Sequence, residues 1–317
     1  MDNKSTASVA VAGISQPPSA VDRMINFGTC WSARLFGWGT IILLGVIVLM
    51  IARASWSAFS TYGLDLVFSS AWSPPHEEYG LWPHILGTLY SSLLALVLAG
   101  VVGVAIAIFL SEKFLPKPIE TVLKNIVDLL AAIPSVVYGL WGLGVVIPAL
   151  QSVLQLIYGD NFYLNLSMLP ASLVLAIMIL PTIAAISRDA LVAVDPKLRQ
   201  AAYGLGATRW EAIFTVILPT ASAGIFGSIV LGFGRALGET MALAMLLGNS
   251  NTFSFSLIQP GSTLASLIAN SFPEAADTQR NVLLAAGMVL MVMTLVVNII
   301  GSLIIQYTNR GRKGARA

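Results

Sequence analysis

Apolar residues are gathered in six long runs, separated by connections that hold most of the polar and charged residues. A helix needs about 20 mostly apolar residues to cross a bilayer, and the runs at about 35–54, 84–111, 122–150, 168–187, 220–248 and 281–307 all qualify. Within each run the apolar positions are nearly continuous, as expected of helices surrounded by lipid or by one another. The pattern predicts an all-α membrane protein with six transmembrane helices. Pro134, Pro148 and Pro181 fall inside runs and are expected to bend them, since neighbouring helices can satisfy the freed backbone groups. Charged residues inside the runs include Asp128 near the start of the third, and Arg235 and Glu239 in the fifth.

Composition agrees. Of 317 residues, 56% are hydrophobic and 10% charged, against about a quarter charged in soluble chains. Cys30 is the single cysteine, which excludes an intramolecular disulfide framework and a cysteine-based metal cluster. His76 and His84 flank a loop rich in Trp and Pro; they are read as polar surface, and no metal site is expected. Residues 1–20 lack a basic start followed by an apolar run, so they do not read as a cleavable signal. The expected organisation is a disordered tail over 1–30, a six-helix domain over 31–310 and a basic tail over 311–317.

Lys and Arg mark the cytoplasmic connections of membrane proteins. Lys4, Arg23 and Arg34 precede the first run; Lys113, Lys117 and Lys124 lie between the second and third; Arg188, Lys197, Arg199 and Arg209 between the fourth and fifth; Arg310, Arg312, Lys313 and Arg316 after the sixth. The alternate connections hold only Arg53 and Arg280, beside Asp65, Glu77, Glu78, Asp160, Glu274 and Asp277. Both termini are expected to be cytoplasmic. The long external connections at 55–83 and 249–280 are either a docking surface or plain loops.

The connection DPKLRQAAYGLGATRWEAIFTVILP, residues 195–219, has internal punctuation. Asp195-Pro196 is a helix-start signal, an acidic cap followed by proline at the first helical position. Leu198, Ala201 and Ala202 share one helical face. Gly204 and Gly206 stop that helix, and Thr208 with Glu211 three residues on forms a capping box that starts another. The expectation is helix, glycine turn, helix, with a small apolar face able to enter a groove on another protein.

This connection resembles the coupling motif of bacterial ABC importer permeases. Gln200, Ala201, Ala202, Gly206, Val216, Leu218 and Pro219 stand at the family's spacing, with Gln200 in place of its usual glutamate. IPSVVYGLWGLGVV from Ile133 and LGFGRALGETMALAMLLGN from Leu231 are similar to the phosphate-specific branch, PstC-type, over about residues 30–310. The resemblance implies a type I ABC importer permease fold in the bacterial inner membrane, and half of a translocation pathway for inorganic phosphate. It implies a sister permease (PstA-type), two ATP-binding subunits (PstB-type) and a periplasmic phosphate-binding protein (PstS-type). The chain has no GxxxxGK[ST] loop, so ATP and Mg2+ are expected on the partners, with no cofactor and no enzymatic activity here. A permease for sulfate or molybdate, and a scaffold that reports phosphate status, remain alternatives.

A charge at mid-bilayer costs a few kcal/mol or more. Arg235 and Glu239 are spaced i, i+4, so on a continuous helix they share a face and pair. Gly232, Gly234 and Gly238 let a helix or ion approach nearby. The guanidinium fork suits an oxyanion. Arg235 is therefore a candidate pathway residue with Glu239 as its holder, or the two are a structural ion pair. Ser135 and Tyr138, after Pro134, can donate to a passing anion or bond their own helix; Ser228 and Thr240 are similarly ambiguous. Asp128 is expected to pair with Lys124, and Arg188 and Asp189 to anchor the end of the fourth run at the interface.

Overall fold

The computed structural model describes residues 20–112 and 114–314. Its backbone contacts divide the chain into two units, residues 1–53 and 54–317. The first contains most of helix α1 (Ala20–Tyr62), in which every side chain from Met24 to Met50 is exposed. Residues 20–30 are thus helical, while the rest of the expected N-terminal tail lies outside the described residues.

In the second unit α1 ends, and a short α2 (Asp65–Phe68) leads to a hairpin of β1 (Trp72–Ser73) and β2 (Glu78–Tyr79), paired Trp72 to Tyr79 and Ser73 to Glu78. This hairpin is a small exception to the all-α expectation. His84 is a second departure. It lies in the first turn of α3 (Trp82–Ser111), fully buried, its ring edge-on to Trp72 at 5.5 Å. The reading of His84 as polar surface is corrected: a loop residue by sequence is a core residue once Trp72 folds over it.

The third expected span is divided. α4 (Lys117–Ala132) stops before Ile133 and Pro134, both extended, and α5 (Ser135–Trp141) restarts after them. A proline disfavours the helical conformation in the residue before it. Lys117, Glu120, Lys124 and Asp128 recur along one side of α4, which is amphipathic where a spanning helix would be apolar throughout. The helix long enough to cross is Ser135–Tyr158, in which a wide π-helical turn over Gly142–Val146 joins α5 to α6 (Ile147–Tyr158). Pro181, by contrast, remains inside a continuous α7 (Met168–Val192).

After α7 come α8 (Pro196–Gly204), α9 (Arg209–Ala212), a second π-helical turn over Ile213–Ile217, and α10 (Leu218–Leu237). The fifth expected span also ends early: α10 stops at Leu237, and a separate short α11 (Met241–Leu246) follows. Residues 247–261 then fold back over the start of α7, where Leu169 N donates to Leu257 O at 2.7 Å and Gly261 N to Leu247 O at 2.8 Å. α12 (Leu264–Ser271) and α13 (Asp277–Gly314) complete the chain. The described residues contain six helices long and apolar enough to cross a membrane.

α7 is the central helix. Ala95 and Ala99 of α3, Val174, Leu175, Ile179 and Ile183 of α7, and Leu243 and Leu246 of α11 form one buried cluster. Small residues allow the close approach on which membrane helix packing depends: Gly103 and Gly232 both abut Ile183, and Gly224 abuts Ala190. Ser187 and Ser228 share a fully buried hydrogen bond of 2.7 Å between α7 and α10, which assigns Ser228 to helix packing.

Candidate functional site

Arg235 occupies the last turn of α10. Its side chain is exposed, and Nη1 donates to Thr182 Oγ1 of α7 at 2.9 Å. Glu239 lies beyond the end of the helix, and its Oε1 accepts from Ala242 N at 3.3 Å, at the start of α11. The expected Arg235–Glu239 pair is corrected: among the described residues the ion pairs are Arg199–Glu112 and Arg280–Asp277. An i, i+4 pair requires helix through both positions, and the chain leaves the helix at Gly238. Glu239 therefore does not hold Arg235. Thr182, which sequence reasoning did not single out, takes that part. The one signal for it is its place directly after Pro181.

The consequence is electrostatic. Arg235 has a neutral partner and, among the described residues, no carboxylate within ion-pair distance, so none of them cancels its charge locally. Tyr138 is brought to this region: it is buried, lies within Coulombic reach of Arg235, and its hydroxyl donates to Leu130 O at 2.8 Å. That bond ties α5 back to α4 across the Pro134 break. An apolar space of about 300 Å3, lined by Leu130, Ile133, Val137, Tyr138, Trp141 and Ile177, opens beside it. Ser135 sits half-buried in the first turn of α5. Of the glycines near Arg235, Gly232 admits Ile183, Gly234 faces the Asn298 amide of α13, and Gly238 ends the helix. Thr240 Oγ1 donates to Gly238 O at 3.2 Å and serves the turn.

The 195–219 connection folds as expected. Asp195 Oδ1 accepts from Lys197 N at 2.9 Å with Pro196 at the helix start. Gly206 has φ +84°, the left-handed region that costs glycine nothing. The capping box is complete, with Thr208 N donating to Glu211 Oε2 at 2.7 Å and Glu211 N to Thr208 Oγ1 at 3.3 Å. The direction of the apolar face differs from expectation. Ala202 is buried and Leu198 packs beside Leu191, Val194, Ile213 and Ile217 of the chain's own core. What faces outward is Gln200, Ala201, Tyr203 and Leu205, the last 90% exposed. Val216 and Leu218 are half-buried and Pro219 starts α10.

Two residues not anticipated from sequence fix this connection. Arg199 Nη1 bonds Glu112 Oε1 at 2.6 Å, and its Nη2 donates to Leu191 O at 2.6 Å. Glu112 caps α3, so the connection after the second long helix and the one after the fourth meet on one side of the bundle. Phe114 adds a second tie, stacked on Trp210 at 5.1 Å with the Arg209 guanidinium 5.2 Å from its ring centre.

A profile of the family described as binding-protein-dependent transport system inner membrane component matches residues 99–313. A phosphate transport system permease protein PstC of Pasteurella multocida is 40% identical over 302 residues, covering 89% of this chain and 92% of its own length. PstC of Haemophilus influenzae is 40% identical over 290 residues, covering 86% and 91%. Among solved structures, a bacterial alginate ABC transporter chain superposes with TM-score 0.62 at 18% identity, covering 87% of this chain and 94% of its own. A chain of the inward-facing MetNI methionine ABC transporter gives TM-score 0.57 at 18% identity, covering 75% and 99%. These two likenesses show the fold, that of a type I ABC importer permease.

Proposed function

The chain belongs to the binding-protein-dependent transport inner membrane component family and groups with its PstC phosphate transport permeases, and from that premise we propose that it is one permease half of an ATP-driven importer of inorganic phosphate. The observation that carries the cargo assignment from the structure's side is Arg235: an exposed guanidinium within a membrane helix bundle, bonded to a neutral threonine and not to a carboxylate. An intramembrane charge without a counterion is expensive, and a phosphate oxyanion, matched to the guanidinium fork, supplies the missing charge each time it passes. Thr182 aims the fork, and Tyr138 borders the same region.

The outward surface of Gln200, Ala201, Tyr203 and Leu205 is the contact offered to a cytoplasmic ATP-binding subunit, which hydrolyses ATP. The Arg199–Glu112 bond passes motion of that surface to α3. A sister permease, two such ATP-binding subunits and a periplasmic phosphate-binding protein complete the assembly in the bacterial inner membrane, with both termini of this chain on the cytoplasmic side. The test is labelled phosphate uptake at low external phosphate by cells relying on this chain, with sulfate uptake alongside. Phosphate accumulation without sulfate accumulation is expected. Sulfate uptake in its place would keep the fold and overturn the cargo.

A further inference from the structure

Between α4 and α7, on the side where Arg199 meets Glu112, three charged side chains face one small cavity. Lys124 and Asp128 come from α4, one turn apart, and Arg188 from the last turns of α7, with Leu110 and Val127 closing the space. The sequence spacing predicts a Lys124–Asp128 pair, and Arg188 as an interfacial anchor. The first does not describe the arrangement, since no ion pair joins any of the three among the described residues. Arg188 is only partly exposed, and its Nε is shielded from solvent without a hydrogen-bond partner. Buried donors are paired with few exceptions, and each exception calls for a reason.

Position supplies one. Thr182, which aims Arg235, and Arg188 are both on α7, six residues apart, roughly 9 Å along the axis at the α-helical rise. Along α7 the cluster is therefore displaced from Thr182 toward the 195–219 connection, on a different face of the helix, since six residues also turn it by about 240°.

We propose that Lys124 and Arg188 form a second oxyanion station on the pathway, which takes phosphate over from Arg235, with Asp128 as the opposing charge that makes its release rapid. The proposal rests on the reading of the cargo as an oxyanion. Two cations and one carboxylate leave a net charge of one, enough to attract an anion and too little to trap it; a pathway needs both entry and exit. The cavity measures about 20 Å3, which admits one water and not a phosphate. The station is thus shut in this conformation and opens as α4 moves away from α7. The extended Ile133–Pro134 link at the end of α4 is the place where such a movement pivots.

The experiment measures phosphate uptake and ATP hydrolysis by the assembled transporter in proteoliposomes, supplied with its phosphate-binding protein. It compares the native chain with Arg188→Gln, Lys124→Gln, Arg188→Lys and Asp128→Asn. Arg188→Gln and Lys124→Gln should each cut uptake about tenfold or more, the scale of one lost charge-assisted hydrogen bond. Partner subunits should co-purify as with the native chain, and ATP hydrolysis should continue. Arg188→Lys should recover most of the uptake, and Asp128→Asn should slow the maximal rate by retaining the anion. Normal uptake by both Gln variants overturns the proposal, as does loss of assembly in both, which would make the cluster a folding element. A native assembly that moves no phosphate overturns the cargo reading itself and this station with it.

Discussion

The 195–219 connection and the Arg235 region are two charged segments of one chain, and they are built by different rules. In the connection each structural feature follows from a residue within a few positions. Asp195 caps α8, Gly206 turns the chain, and the Thr208–Glu211 box starts α9. Around Arg235 the local rule fails. The i, i+4 spacing to Glu239 suggests a pair, but the helix ends between them, and the partner is Thr182, 53 residues away in sequence. Backbone groups at a water-exposed helix end must be satisfied locally, so the sequence declares how. A charge among packed helices takes whichever partner the tertiary arrangement brings.

The predictions separate these two regimes. The largest effect is expected at Arg235: Arg235→Gln should lower phosphate uptake by about a hundredfold or more, as charge-assisted contacts to the passing anion are lost, with assembly unchanged when partner co-purification is measured. Next is the tie between the regions. Glu112→Gln weakens a bond whose carboxylate side chain is 6% exposed and whose guanidinium is 20% exposed. The cost should be about 1–3 kcal/mol, below that of a fully buried pair, visible as a lowered melting midpoint and weaker co-purification of the ATP-binding subunit. Gly206→Ala places a side chain at φ +84° and should cost about 1 kcal/mol, read in the same melting assay with uptake altered less than by Glu112→Gln. The smallest effect is expected from Thr182→Val, which keeps the shape and removes the acceptor: uptake should fall by about two- to tenfold, the worth of one hydrogen bond, with stability unchanged.

The same contrast explains what could be read from sequence. The six crossing helices follow from continuous apolar runs, and the coupling connection from caps and glycines, because both signals are local. One boundary departs from the apolar pattern for a local reason whose strength only the structure shows. Pro134 ends α4 outright, whereas Pro181 sits inside a continuous α7. The partners of Arg235 and Arg199 are scarcely marked in the sequence, since each depends on which helices pack together. The outward direction of the α8 surface is likewise tertiary: Leu198 turns inward because Ile213 and Ile217 of the following π-helical turn share its cluster, and Ala202, one turn on, is buried.

The central claim is that position 235 must present a free positive charge to the passing anion. It is tested most directly by charge restoration. Cys30 is the only cysteine, so Arg235→Cys in a Cys30→Ser background places a single thiol at the site. Modification of that thiol with an aminoethyl methanethiosulfonate should restore a substantial part of phosphate uptake, and a sulfonate-bearing reagent of similar size should not. Equal uptake after either reagent, or none after both in an assembled transporter, would contradict the claim.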